Sequence, residues 1–341
     1  MIADSLPLGE LPHEQLARLL HRHATDDPRV LVGPGLGEDA TVIDLGRDFG
    51  DRLLVAKTDP ITFATDEIGW YAVNVNANDV ACMGARPCWF LVTLLLPEGR
   101  TDDALVERIF DQVGQACAAL DISLAGGHTE ITYGLDRPIV VGHMLGEVVR
   151  DQLVTTGGAQ VGDVLLLTKG VAIEATAIIA REKANELAGQ FSADFLARCQ
   201  GFLHDPGISV VRDAEVATAA GLVHAMHDPT EGGLATGLWE LAWAADVGLE
   251  VMADALPVLP ETAELCQAFD LDPLGVIASG ALLLAIAPED APSVQRALED
   301  EGIPAFEIGR VVDEAVGVTL LTAEGRGPLP CFVRDEIARL F

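Results

Sequence analysis

Four short stretches in the first half of the chain combine carboxylates with glycines or amides. "GPGLGEDATVID" sets Glu38 and Asp39 in a glycine-rich loop running into a strand, and "VAKTDPITF" puts Asp59 at a strand end. "NANDVA" puts Asp79 within a helix, and "LAGGHTEIT" places His128, Thr129 and Glu130 after the paired Gly126 and Gly127. Taken singly, an aspartate in a turn is a cap or an Asx-turn, and paired glycines only permit tight backbone. Taken together they pose an electrostatic problem. Unit charges about 4 Å apart repel by roughly 4 kcal/mol at an effective dielectric near 20, so three carboxylates in one cleft would need protons or cations. Oxygen ligands with few His or Cys favour Mg²⁺, which binds through a few carboxylates plus substrate phosphates. Neighbouring glycines would let backbone N–H groups approach those phosphates. The chemistry in view is cation-assisted handling of a phosphate, provided that Asp39, Asp59 and Asp79 meet.

The elements that must position these groups alternate between strand and helix. "DRLLVAKTD", "CWFLVTLLLP" and "PIVVGHMLGEVV" are short apolar runs closed by turn chemistry and read as strands. "GWYAVNVNANDVACMGARP" repeats Trp70, Val73, Ala77, Val80 and Ala81 at helical spacing, yet carries Asn74, Asn76, Asn78 and Asp79. Such residues prefer caps and turns, so the amides either line a polar cleft floor or are simple surface polarity. "LPHEQLARLLHRH" is an amphipathic helix with Leu16, Leu19 and Leu20 inward; "DDALVERIFDQVGQACAAL" is a longer one striped by Leu105, Ile109, Val113, Ala116 and Leu120. Paired glycines in "RDQLVTTGGAQVGDVLLLTKG" mark a boundary, giving domains over 1–155 and 156–341.

The second half repeats the mixture, so the fold class is α+β, two mixed domains each with its own sheet. "VAIEATAIIAREKANELA" and "APSVQRALEDEG" read as helices; "GALLLAIAP", "AFEIGRVV" and "VGVTLLT" read as strands; "RDEIARLF" is a terminal helical turn. "GLVHAMHDPTEGGLATGLWELAWAADVG" reads as a loop feeding a helix. Thr230 or Asp228 would cap that helix near Gly232, its free N–H groups would form an anion site, and Leu234, Leu238 and Leu241 would bury the next turns. His227 is either a catalytic group or a satisfied loop histidine. Lys169, after a strand, either neutralises phosphate or is a surface charge.

Composition limits the partners. The net charge of −32, from 53 acidic and 21 basic residues, would repel a nucleic-acid backbone. That acidity reflects solubility, a salty habitat, or carboxylates converging on cations. "MIADSLPLGE" lacks signal-peptide features, and apolar runs such as "ALLLAIA" fall short of the ~18 residues that span a bilayer. The six cysteines form no CxxC pair, and most read as small buried residues in a reducing cytoplasm.

The order "GLGEDA", "KTD", "NDVACMGARP", "GGHTE", "GEV" and "HDPTEGGLA" resembles the aminoimidazole ribonucleotide (AIR) synthase superfamily, nearly end to end. That group includes thiamine-monophosphate kinase, selenophosphate synthetase and the hydrogenase-maturation dehydratase. The resemblance implies ATP use and Mg²⁺-assisted transfer of the γ-phosphoryl group. By motif match Asp39, Asp59, Asp79 and Glu130 would hold metal. Gly37, Asn78, Gly126, Gly127, His128, Thr129, Lys169, Gly232 and Gly233 would line the nucleotide, and Asp59, His227 and Asp228 would be catalytic. It also implies a homodimer whose N-terminal sheets close a shared barrel, and a C-terminal sheet covered by helices.

"HDPTEGGLA" and "KTDPITF" look most like the dehydratase branch. The synthase would show "TDG-VGTK"-like text, the kinase "GGDT", and the selenium enzyme a reactive residue before Cys82. The dehydratase acts on a thiocarbamate carried by a cysteine at its extreme C-terminus, whereas here Cys331 precedes "FVRDEIARLF". The expected function is therefore an ATP- and Mg²⁺-dependent phosphoryl-transfer or dehydration enzyme. Its acceptor, small-molecule or thiocarbamate-like, is unassigned. The alternatives are a small-molecule kinase, or a non-catalytic nucleotide-binding partner of a maturation protein.

Overall fold

The alternation of apolar runs and amphipathic stretches resolves into two sheets in a computed structural model, which describes residues 13–22, 27–35, 37–62 and 66–341. Asp27–Gly33 and Asp39–Leu153 form one unit. Helix α1 (His13–Arg22), residues of the following glycine-rich loop up to Glu38, and Val154–Phe341 form the other. The division after Leu153 falls two residues before the expected one, and α1 belongs with the second half. Leu16, Leu19 and Leu20 of α1 are half-buried.

The first unit runs β1 (Val30–Val32), β2 (Thr41–Asp44), β3 (Arg52–Ile61), α2 (Ile68–Cys82), β4 (Arg86–Pro97), α3 (Asp103–Ala119), β5 (Ser123–Thr132) and β6 (Ile139–Val149). Its sheet order is β1-β2-β3-β6-β4-β5, antiparallel except for β4 with β5. The β3–α2–β4 connection therefore crosses β6, and the glycines of β6 let α2 lie close. A Cβ on Gly142 would stand 2.3 Å from Asn76 Nδ2, and one on Gly146 would stand 2.4 Å from Val80 Cγ1. Asp102 caps α3 by accepting from Leu105 N at 2.8 Å, and Ile109, Val113 and Ala116 of the expected stripe are buried.

Every residue of α2 except Trp70 is buried, which settles the question of its amides. Asn74 Nδ2 donates to Trp70 O at 2.9 Å, and Asn76 Nδ2 donates to Ala72 O at 2.8 Å and to Asp59 O at 3.3 Å. They are interior groups satisfied by carbonyls of the preceding turn and of β3, not surface polarity.

The second unit contains β7 (Val164–Thr168), α4 (Ile173–Glu182), α5 (Ala184–Leu187), α6 (Ala193–Gly201), α7 (Val211–Ala220), β8 (Val223–His227) and α8 (Gly233–Ala245). It continues through β9 (Gly248–Met252), α9 (Pro260–Ala268), β10 (Leu283–Ile286), α10 (Ala291–Asp300), β11 (Ala305–Val312), β12 (Val318–Thr322) and β13 (Gly325–Pro328). The sheet order is β13-β12-β9-β11-β7-β10-β8, and β10 is buried along its whole length between β7 and β8. The stretch expected as a loop before α8 begins with strand β8, because Val223, Ala225 and Met226 pair with the apolar β10. No described helix is long and apolar enough to cross a membrane.

Candidate functional site

The first unit gathers Asp39, Asp59 and Asp79 around Lys57. Lys57 and Asp59 lie two residues apart on β3 and so share a face, the one that α2 covers. Asp79 comes from α2, and Asp39 from the residues leading into β2, which pairs with β3. Lys57 Nζ lies 3.0 Å from Asp79 Oδ1 and 3.6 Å from Asp59 Oδ2. Burial pushes the Lys57 ammonium down, but Asp79, Asp59 and Asp39 outweigh it and hold the group above its ordinary value. Burial pushes the Asp59 carboxyl up, with Lys57 pulling the other way. Asp39 and Asp79 are almost wholly buried, whereas the Asp59 side chain is 35% exposed. Asn78 is fully buried on the same helix.

This donor set suits a hard cation. All three carboxylates offer oxygen, and Asn76 Oδ1, whose amide nitrogen bonds the backbone of Asp59, is buried without a hydrogen-bond partner among the described residues. Lys57 was no part of the set expected from sequence. The legible signal was its place in "KTD" and the rarity of lysine in the chain, with only Lys169 and Lys183 besides.

The "GGHTE" stretch lies elsewhere in the same sheet. It is the interior of β5, and β5 is the sheet's edge. Asp59 pairs with Gly142, Gly142 with Val92, and Val92 with Gly127, so three strand spacings, about 14 Å, separate β5 from β3. Glu130 therefore does not join the three aspartates within one chain. It is exposed, as are His128 and Thr129, and its carboxylate lies 3.5 Å from His128 Nε2. Gly127 serves the sheet, since a Cβ there would clash with Val92 O.

In the second unit the expected anion site at the head of α8 is taken by the chain itself. The cap position is Gly232, at φ 76°, with no side-chain cap from Thr230 or Asp228. Gly232 N donates to Asp335 Oδ2 at 2.7 Å, while Gly233 N donates to Thr230 O. Burial raises the Asp335 carboxyl against the lowering effect of backbone N–H groups of Gly232, Ile337 and Ile277. Gly37 packs against α8, where a Cβ would stand 2.8 Å from Glu240 O. His227, buried at the end of β8, lies 3.0 Å from Glu240 Oε2 through Nε2, and Asp228 is buried beside it in sequence.

Lys169 is not a surface charge, nor does it offer its ammonium to a phosphate. It donates to Ser209 O at 2.6 Å and Gly207 O at 3.4 Å and lies 3.3 Å from Asp213 Oδ1, which employs all three of its donors inside the unit. Thr168 Oγ1 donates to the same Asp213 oxygen at 2.6 Å. Of the six thiols Cys82, Cys117, Cys199 and Cys266 are buried, Cys88 is half-buried and Cys331 is exposed, and none is in a disulfide.

Two mixed sheet-and-helix units, the first setting two carboxylates against a lysine on which a third also acts, define a two-domain α+β protein. Residues 37–148 match the family model "AIR synthase related protein, N-terminal domain", and residues 160–320 match its C-terminal counterpart. The chain belongs to the AIR synthase-related family. It is 30% identical to the carbamoyl dehydratase HypE of Bradyrhizobium diazoefficiens, over 81% of this chain and 78% of that one. It is 29% identical to the enzyme of the same name from Rhodobacter capsulatus, over 87% and 86%. Among solved structures, the hydrogenase maturation protein HypE in complex with ATP matches with a TM-score of 0.71 and 26% identity, over 92% of this chain and 94% of that one. The HypE-like reading of the sequence stands over its kinase-like alternative.

Proposed function

We propose that the protein is an ATP- and Mg²⁺-dependent enzyme that transfers a phosphoryl group to an oxygen of a small acceptor and promotes its dehydration. The observation that carries this reading is that Asp59 and Asp79, distant in sequence, both contact Lys57, on which Asp39 also acts, in a HypE-like chain. Asp39, Asp59 and Asp79 would hold Mg²⁺, which would supply charge neutralisation to the transferring phosphoryl group. Asp79 and Asp39, both buried, would anchor the cation. Asp59, more exposed and pushed toward neutrality by burial, is the candidate for proton transfer with the acceptor. His227 and Asp228 are the proposed proton-handling groups of the second unit. The acceptor class follows the relatives: a carbamoyl compound whose oxygen is removed, free or presented by a maturation protein.

Calorimetric titration with ATP and Mg²⁺, followed by ADP and phosphate release with carbamoyl and thiocarbamate compounds, tests the reading. ATP binding that is Mg²⁺-dependent and lost in Asp79→Asn is expected. Binding without turnover across these compounds would favour a non-catalytic nucleotide-binding partner, and absence of binding would refute both.

A homodimer is proposed on separate grounds. Helices α2 and α3 lie over one face of the first sheet, while the other carries Leu54, Trp89, Leu91, Leu95 and Leu145 half-buried or exposed. Edge strand β5 is exposed almost throughout, and Ile131 is 60% exposed. A second copy closing a barrel would cover both the face and the edge.

A further inference from the structure

Stability does not explain the presence of Asn76 in α2. The residue is fully buried in the middle of the helix, where Asn is a poor choice. Its Nδ2 donates to Ala72 O at 2.8 Å and to Asp59 O at 3.3 Å. Carbonyl oxygens only accept, so the nitrogen end of the amide must face them. Oδ1 is then buried without a hydrogen-bond partner among the described residues. An acceptor left so is destabilising, and an apolar side chain would avoid it.

What the amide achieves is a tie between two elements of the site. Ala72 O belongs to its own helix, one turn back, but Asp59 O belongs to β3. We infer that Asn76 is a positioning residue: by fixing α2 on the backbone of Asp59 it sets the spacing of the Asp59 and Asp79 carboxylates, and with it the affinity for a divalent ion. The inference rests on the proposed cation site and deepens it. In the sheet Asp59 pairs with Gly142 of β6, and the amide lies over that pair, since a Cβ on Gly142 would clash with Asn76 Nδ2. Thr58 Oγ1 donates to Gly142 O at 2.9 Å, pinning the two strands beneath the amide. Three residues further along α2, on the same helix face, Asp79 Oδ1 meets Lys57 Nζ at 3.0 Å. Helix and strand therefore touch at two polar points, and the Asn76 contact sets where Asp79 stands over β3. The Asp59 side chain is 35% exposed while Asn76 is fully buried, so the amide acts from the interior through the backbone.

The test separates positioning from support of the fold. In Asn76→Thr the hydroxyl keeps a donor for Ala72 O, as Thr176 does for Ala172 O at 2.8 Å in α4, but the donor to Asp59 and the orphaned oxygen both go. Asn74→Thr is the control, because Asn74 Nδ2 donates to Trp70 O of its own helix at 2.9 Å. Mn²⁺ alone is titrated into the full chain and its free signal followed by electron paramagnetic resonance, in enough salt to screen surface carboxylates. The site is the class of ions lost in Asp79→Asn. Asn76→Thr should weaken that class by about 10–100-fold, the usual effect of losing a group that orients a metal ligand, with a urea midpoint at or above that of wild type. Asn74→Thr should leave the affinity unchanged. An unchanged affinity in Asn76→Thr, an equal loss in Asn74→Thr, or a midpoint that falls together with the affinity would overturn the inference. If Asn76→Thr does not fold, Asn76→Ser is read by the same criteria, and failure of both to fold makes the amide structural and overturns it. Calorimetry with ATP and Mg²⁺ on the same proteins separates the two readings. ATP bound by a wild type whose Mn²⁺ affinity Asn76→Thr does not change overturns positioning alone. Mn²⁺ weakened in Asn76→Thr with no ATP bound by wild type overturns phosphoryl transfer alone, and no Mn²⁺ class sensitive to Asp79→Asn overturns both.

Discussion

Asp59 carries opposing demands. Its carboxyl is raised by burial, with Lys57 pulling the other way, so the native protein binds that proton more tightly than the unfolded chain does. The sign follows: ionised Asp59 lowers stability at neutral pH, and this burden fades as pH falls through the raised value toward the ordinary 3.8. Asp59→Asn should therefore leave the metal-free protein at least as stable as wild type near pH 7. The advantage should shrink as pH falls into the carboxylate range, while Mg²⁺-dependent ATP binding is lost. Urea denaturation of both proteins between pH 4 and pH 8 (about the range where carboxylates finish titrating) checks it. A loss of stability at pH 7 would mean that the Lys57 contact dominates. In sequence, Asp39, Asp59 and Asp79 were legible as candidates because their neighbours make turns and strand ends. Lys57 stood out only by its place in "KTD" and the rarity of lysine, which carry no sign of which carboxylates it will meet.

Among the elements, α2 and its seat on β6 decide where Asp79 stands. Gly142→Val would drive a side chain into Asn76 and Phe90, whose Cε2 would lie 2.9 Å from the new Cβ. A cost of about 1–3 kcal/mol is expected from such overpacking. It should appear as a lower urea midpoint together with weaker ATP binding, since α2 must tilt. An unchanged midpoint would show that α2 is free to shift. In the second unit, Asp335 joins the final turn to the head of α8, and its removal tests that joint. Asp335→Ala should cost about 1 kcal/mol, the usual value of an N-terminal cap. It should also speed amide exchange at Gly232 and Ile337, which donate to its two oxygens at 2.7 and 2.8 Å. Exchange unchanged at both amides would mean that the tail is held by its buried Leu329, Ile337 and Ala338 alone.

The whole molecule is governed by its charge and its uncovered sheet face. With −32 net charges the fold repels itself, and salt should relieve this: the Debye length falls from about 10 Å at 0.1 M to 3 Å at 1 M. The melting temperature in KCl should rise by a few degrees over that range, and a fall would mean that ion pairs such as Arg52–Glu147 outweigh the repulsion. Sedimentation at micromolar concentration should show two copies, and Trp89→Glu together with Leu91→Glu should shift the protein to one. A monomer in the unaltered protein would remove the barrel.

By itself the sequence determined the two mixed units, most strands and helices, and the three aspartates, because apolar periodicity and turn residues act over a few positions along the chain. It also indicated the family, since the motif order runs nearly from end to end. Only tertiary structure decided that the amides of α2 are interior, that "GGHTE" is an edge strand about 14 Å from β3, and that Lys169 is internally paired. The same holds for Lys57 at the centre of the aspartates and for Asp335 at the head of α8. The reason is common to all five. Each depends on which groups from remote segments share a few ångströms of space, and strand order, register and helix crossing set that distance while local residue preferences do not.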